Sequence, residues 1–298
     1  MSTADAAPAV SVPEPVARER RRRRPRQGQS PWIWLAVVLI VLFCLFPFYW
    51  LINVSLKSGA DLSQADLVPP SPTLDNYQSI FENNDFTSAL KNSVIITTVT
   101  TILALIVGSF AAYALARLRF RRKFLILAII LSISTFPPIA IAAPIFQIWN
   151  DIGLYDTRIG LIIPYLTFAL PLAIYILTSF FKEIPKELEE AALVDGATYF
   201  QAFRKVVLPL AAPGLVTAGL LTAFFVWNEF LLAVTLTSSP DAFTVPVSVA
   251  NFTGSQRFEV PLGTISAASV VITIPLVLAV IFFQKRIVAG LTAGAVKG

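Results

Sequence analysis

Six long apolar stretches, at about 32–53, 93–116, 124–148, 159–181, 210–237 and 263–284, limit what this chain can become. At about 1.5 Å of helical rise per residue, each is long enough to cross roughly 30 Å of hydrocarbon. Inside lipid every backbone donor and acceptor must be satisfied within the segment, which a helix does alone. The expected fold class is therefore all-α, a polytopic membrane protein with six transmembrane helices. Composition agrees: 56% of the residues are hydrophobic and 14% charged, against about 25% charge in an average soluble domain. With no histidine, one cysteine (Cys44) and one methionine, the chain lacks the ligand sets of zinc and iron–sulfur sites and the acid/base residue most used near neutral pH. No catalytic and no metal residues are expected.

Charge placement orients the spans. Most of the 23 Lys and Arg residues lie in the two termini and in the connections after the second and fourth spans. By the positive-inside rule both termini are cytoplasmic. Residues 1–31, ending in Arg20-Arg21-Arg22-Arg23-Arg24-Pro25-Arg26, read as a disordered basic tail without core-forming periodicity. Residues 32–53 form an uncleaved first transmembrane helix, 54–92 an extracytoplasmic loop, 93–284 the transmembrane core and 285–298 a cytoplasmic tail. Arg117, Arg119, Arg121, Arg122 and Lys123 read as determinants that hold one turn at the inner face. Pro47, Pro137, Pro138, Pro144, Pro164, Pro171, Pro213 and Pro275 fall in or beside spans. Each removes a helix hydrogen bond and invites a kink. No internal repeat is visible, which argues against a secondary transporter built from inverted halves.

The connection 182–209 is long for a hairpin and has its own helix signals. Pro185 stands at a helix start and Gly196 at a stop, and Leu188, Ala191 and Ala192 share one small apolar face. Glu187, Glu189 and Glu190 flank that face, where basic groups of a partner would pair with them, and Asp195 makes a fourth acid in the segment. Thr198 with Gln201 forms a capping-box pattern that opens a second helix toward Leu208 and Pro209. A membrane-surface helix would carry basic rather than acidic groups. Two short helices meeting at Gly196, marginal alone, have to be held by the bundle and by a partner.

Glu190-Ala191-Ala192, three residues, Gly196, nine residues, Val206, one residue and Leu208-Pro209 resemble the EAA-x3-G-x9-I-x-L-P pattern of permease subunits of ATP-binding-cassette importers, with Val for Ile. The resemblance implies a type I importer permease fold. It also implies that Glu190, Ala191, Ala192, Asp195, Gly196, Leu208 and Pro209 dock on a cytoplasmic ATPase subunit. Ala111-Ala112-Tyr113-Ala114-Leu115-Ala116-Arg117-Leu118, Trp227-Asn228-Glu229-Phe230 and the end from Gly290 to Gly298 are similar to the second, MalG-like permease of maltose/trehalose-type sugar importers. Phe168-Ala169-Leu170-Pro171-Leu172-Ala173-Ile174-Tyr175 and Val249-Ala250-Asn251-Phe252-Thr253-Gly254-Ser255 look like the actinobacterial trehalose branch. Trehalose is accordingly the leading substrate, with maltose and maltodextrin next.

That family implies a second homologous permease, two copies of an ATPase, an extracytoplasmic sugar-binding lipoprotein and a disaccharide as partners, with no nucleic acid. ATP and Mg would sit on the partner subunits, since no G-x-x-x-x-G-K-[ST] loop occurs here and this chain binds no cofactor. The location implied is the bacterial inner membrane. Trp227, Asn228 and Glu229 supply the aromatic, amide and carboxylate groups that sugars require, and Glu229 is the one charged residue inside a span. They form a candidate substrate path, with holding the fifth helix to a neighbour as the other role for Glu229. In the maltose relatives the loop corresponding to Asn251, Phe252, Thr253, Gly254, Ser255 and Gln256 reaches the binding protein, and the C-terminal tail enters the ATPase interface. The alternative, a proton-coupled secondary sugar transporter, should show several ionisable residues at mid-membrane.

Overall fold

The computed structural model describes residues 31–119, 121–252 and 261–293, with side chains to Gln284. No strand occurs among them. The basic tail and the final residues from Gly294 lie outside the described residues, and Pro31 already opens a helix. The helices are α1 (Pro31–Ser55), α2 (Asp75–Glu82), α3 (Asn84–Arg117), α4 (Lys123–Thr135), α5 (Pro138–Ile152), α6 (Arg158–Glu183), α7 (Lys186–Val194), α8 (Tyr199–Leu210), α9 (Ala212–Trp227), α10 (Leu231–Leu236), α11 (Val245–Ala250) and α12 (Leu262–Ala293). Four of them, α1, α3, α6 and α12, are long and apolar enough to cross a membrane singly, and bent pairs raise the number to as many as six.

The chain divides into two units at Phe46. The first contributes the opening part of α1, which is apolar and exposed along its length. The second holds everything from Pro47 onward, and its centre is the long contact of α3 with α6. Ser93, Ile96, Thr100, Ala104, Gly108, Ala112 and Ala116 form the buried face of α3. In lipid, apolar area gives no drive for helix association, so close approach between small residues has to supply it. At Gly108 an added β-carbon would lie 3.3 Å from Ala173 Cβ of α6. Local caps fix where the helices begin: the Asn83 side chain accepts from Asp85 N at 2.8 Å and Thr157 Oγ1 from Gly160 N at 3.0 Å.

Contacts at the ends give the direction of the chain. Arg117 at the end of α3 meets Ile184 after α6, while Asn92 near the start of α3 meets Arg158 at the start of α6. The two helices therefore run parallel, and the segment between them has to return. It does so as α4 and α5, bent by 83° between Thr135 and Pro138 inside the expected span 124–148, where Pro137 and Pro138 invite a kink. Proline at 138 removes the N–H that would continue α4, and proline at 137 disfavours helical backbone before it. The span expected over 210–237 is also divided: α9 stops at Trp227 and α10 starts at Leu231. At the other limit, α12 runs past the expected 284 to Ala293.

Residues 54–92, expected as a loop, contain a 3-10 turn (Gly59–Ser63), α2 and the first turns of α3. Lys57 organises this segment. Its side chain is buried, with Nζ donating to Gln64 O at 2.9 Å and Asp66 O at 3.0 Å and lying 5.6 Å from the centroid of Trp50. Backbone carbonyls and an aromatic face replace the water that an ammonium would otherwise keep. Asn76 Nδ2 bonds Ser55 O at 2.9 Å and Lys57 O at 2.8 Å, tying α2 to the end of α1.

Candidate functional site

The connection 182–209 folds as the two short helices expected, meeting in an elbow. Pro185 is the residue before α7 rather than its first helical position. After the Asp195 cap, Gly196 N bonds Leu193 O at 3.1 Å and Ala197 N bonds Ala192 O at 3.0 Å. This pair of bonds closes a Schellman turn, which needs a left-handed residue at its centre. Gly196 supplies it at φ +87, with open space where a β-carbon would be. The constraint at 196 is thus backbone conformation alone.

Thr198 and Gln201 form both bonds of the capping box that starts α8. The middle of α8, Phe203–Val207, widens to π-helix just ahead of Pro209. Proline has no N–H to donate and its ring collides with the carbonyl four residues back, and a wider turn relieves both. The widened turn aims Phe203 and Val207 into a buried cluster with Ala112, Ala116, Leu177 and Phe181. The Phe203 ring centroid lies 4.8 Å from that of Tyr113 and 5.4 Å from that of Phe110. Neither Phe203 nor Val207 was singled out by sequence, although both fall inside the spacing that carries the motif.

Of the expected docking residues, Glu190, Ala191, Asp195, Gly196 and Pro209 are exposed, and Ala192 and Leu208 half-buried. Leu188 and Val194 are exposed beside them, Val194 at 87%. Glu189 departs from expectation. It is buried and points back at the bundle, where Arg117 Nε lies 3.2 Å from Oε2 and the Tyr113 hydroxyl donates to Oε1. Arg117 Nη2 also donates to Ile184 O at 2.8 Å. Glu189 is therefore not among the acids presented to a partner, and Arg117 does more than orient a turn. An open cleft of about 380 Å³ beside this cluster is lined by Arg119, Lys186, Glu190 and Tyr199.

Trp227, Asn228 and Glu229 lie together at the break between α9 and α10 but face different ways. Trp227 is buried. Asn228 is exposed along a cleft with Leu276, Val277, Val280 and Ile281 of α12, its Nδ2 donating to Phe224 O at 2.8 Å. Glu229 turns toward α10, where Oε1 accepts from Leu232 N at 2.8 Å and Oε2 from Ala233 N at 3.1 Å. A carboxylate at a helix N-terminus satisfies orphan donors and meets the positive end of the dipole.

The end of the bundle away from the elbow holds polar residues that sequence reading passed over. Fully buried Asn92 donates to Asp241 O at 2.8 Å and Phe243 O at 3.0 Å and accepts from Arg158 Nε at 2.7 Å. Ser93 Oγ accepts from Val245 N at 2.8 Å. The signal available was a lone Asn-Ser inside the approach to an apolar span. Asn251 is exposed and Phe252 packs on Phe86 at 5.9 Å, while Thr253, Gly254, Ser255 and Gln256 lie outside the described residues.

Asp156, between α5 and α6, has a left-handed backbone (φ 58) and accepts from Ser238 N at 2.8 Å and Ser239 N at 3.1 Å. Burial pushes its carboxyl up, but the hydrogen bonds from Ser239 and Ser238 outweigh this and hold it below its ordinary value of 3.8. With the folded value depressed, its contribution is complete above the unfolded value and is lost as pH falls through the folded one. Asp156→Ala should cost about 1–2 kcal/mol near neutral pH. The deficit relative to wild type should shrink on acidification, as followed by thermal unfolding in detergent across the carboxylate range. A deficit constant with pH would assign the cost to the backbone at φ 58 instead.

Three comparisons bear on this geometry. Residues 104–292 match the family described as binding-protein-dependent transport system inner membrane component. The chain is 54% identical over 260 residues, 87% of its own length and 95% of the relative's, to the trehalose transport system permease protein SugB of Mycobacterium tuberculosis. It is 40% identical over 263 residues, covering 88% and 94%, to the trehalose/maltose transport system permease protein MalG of Thermococcus litoralis. Among solved structures it is similar, with a TM-score of 0.71 and 26% identity, to a chain of a bacterial ABC transporter involved in the import of the acidic polysaccharide alginate, covering 88% of this chain and 99% of that one.

Proposed function

This chain belongs to the family of binding-protein-dependent transport system inner membrane components, and from that premise we propose that it imports a di- or oligosaccharide, with trehalose first and maltose or maltodextrin next. It is a transport permease and not an enzyme. In this reading ATP and Mg are bound by two cytoplasmic ATPase subunits, a second permease completes the path, and an extracytoplasmic binding protein delivers the sugar. The observation that carries the coupling role is the elbow at Gly196, whose outward face is apolar and acidic while its inward face is fastened to α3 and α6. Closure of an ATPase dimer would displace such an elbow as one body and shift the balance between two states of the bundle.

Several features support the finer topology. The parallel course of α3 and α6, with α4 and α5 returning between them, favours six crossings. The Lys/Arg distribution favours cytoplasmic termini. At the α9–α10 break Asn228 is the exposed member of the trio, which supports assigning it to a sugar hydroxyl, while Glu229 caps α10 beside it. The loop with Asn251 and Phe252 at its start is the candidate contact for the binding protein. The proton-coupled alternative is not favoured, because Glu229, the one charged residue of the sequence-defined spans, already caps a helix.

The test is ATP hydrolysis by the reconstituted complex with its binding protein, comparing trehalose with maltose. Trehalose should stimulate more. Gly196→Asp adds a charged side chain to the exposed turn of the proposed docking face, where a β-carbon meets only open space, and should reduce sugar stimulation on the order of 10-fold, within the range of ordinary coupling energies. Intact stimulation in Gly196→Asp would sink the coupling role of the elbow, and stimulation by maltose alone would reverse the order of substrates.

A further inference from the structure

The link between α7 and the membrane-crossing helices is made by side chains. The closer backbone contacts of α7 are with α8, not with α3 or α6. A nine-residue helix is marginal by itself, so its orientation depends on what grips it. Glu189 provides the grip: both of its oxygens are engaged, one by the Tyr113 hydroxyl and the other by Arg117 Nε at 3.2 Å. Tyr113 and Arg117 are four residues apart on α3 and so share a face. Arg117 also holds Ile184 O at 2.8 Å, so one planar guanidinium joins the end of α3, the residue after α6 and the inner face of α7.

A buried ion pair is rarely more stabilising than well-packed apolar residues of the same size, so this one needs a reason other than stability. Directionality is that reason. Apolar contacts tolerate sliding, whereas a carboxylate that accepts the Tyr113 hydroxyl on one oxygen and faces the Arg117 guanidinium in an ion pair on the other is fixed in both position and rotation. Consecutive helical residues point about 100° apart. Glu189 therefore faces the bundle while Glu190 faces outward from the same turn. We infer that Tyr113, Arg117 and Glu189 are positioning residues that transmit displacement of α7 to α3 and so set how much ATP is hydrolysed per sugar moved. This rests on the elbow being the docking element.

The experiment measures sugar transport and ATP hydrolysis together in proteoliposomes of the assembled complex. Tyr113→Phe removes one hydroxyl and keeps the ring against Phe203, and Glu189→Gln keeps the shape and removes the charge. Both should retain basal hydrolysis and raise the ATP used per sugar on the order of 10-fold, as a lost coupling of ordinary size would. Arg117→Lys keeps the charge but loses the planar group that faces Glu189 and donates to Ile184 O at once, and should also uncouple. Glu190→Ala, on the outward side, reports on docking separately and should lower ATPase association. If Glu189→Gln fails to assemble, Tyr113→Phe decides. An unchanged ratio in Tyr113→Phe, or activity lost only in proportion to assembled complex, overturns the linkage. The docking elbow then still stands if Glu190→Ala releases the ATPase, and it falls as well if Glu190→Ala is silent.

Discussion

Gly160→Val is expected to prevent the complex from assembling at physiological temperature. Gly160 lies in the first turn of α6, directly over the corner where α5 ends. A β-carbon there would stand 2.1 Å from Leu154 O and 3.1 Å from Trp149 Cδ1. The first of these is backbone, which a rotamer change cannot move aside. The surroundings are equally committed: Trp149 Nε1 donates to Gly160 O at 2.6 Å, and Leu154 N and Tyr155 N both bond Trp149 O. Accommodating two further methyl groups would separate α5 from α6 and break these bonds, a loss of about 3 kcal/mol or more by the standard of overpacked cores. Thermal unfolding in detergent and the yield of assembled complex measure it. Gly153→Asn is the control, because Gly153 has φ 73 with nothing near its missing β-carbon, and Asn tolerates that region. It should cost less than about 1 kcal/mol. Equal losses in the two variants would mean that the corner is not sterically tight.

Glu229→Ala is the second large effect. The two donors that Glu229 satisfies belong to Leu232 and Ala233, whose side chains are fully buried. Without the carboxylate two N–H groups at the start of α10 lose their partners in a region with little water, at about 1–3 kcal/mol each. Glu229→Gln keeps one acceptor oxygen and should recover roughly half of the loss. The reading is decided by comparing melting temperatures with transport. If Gln restores stability and transport together, Glu229 acts through the fold of the α9–α10 break. If Gln restores stability but not transport, its charge acts on the sugar path directly.

The elbow shows how unevenly the sequence spoke. Its two helices, the capping box at Thr198 and Gln201, and the stop at Gly196 were all legible, because each depends on local backbone chemistry. The inward turn of Glu189 was not, since three acids within four residues look alike until a partner is known. Arg117 likewise read as one basic residue among five. The break between Thr135 and Pro138 was legible from its prolines, while the one between Trp227 and Leu231 had no proline to announce it.

What the sequence determined by itself was that the chain is built on long apolar helices, where short helices start and stop, and the family of the chain. These follow from segment length, caps and a motif of fixed spacing. Tertiary structure alone decided which face of each helix packs inside the chain and which is left exposed. Both faces are apolar, so the alternation that reveals a buried face in water is missing. Close approach at Gly108 and Gly160, and the buried partners of Glu189, Asn92 and Lys57, become visible only when the helices are side by side.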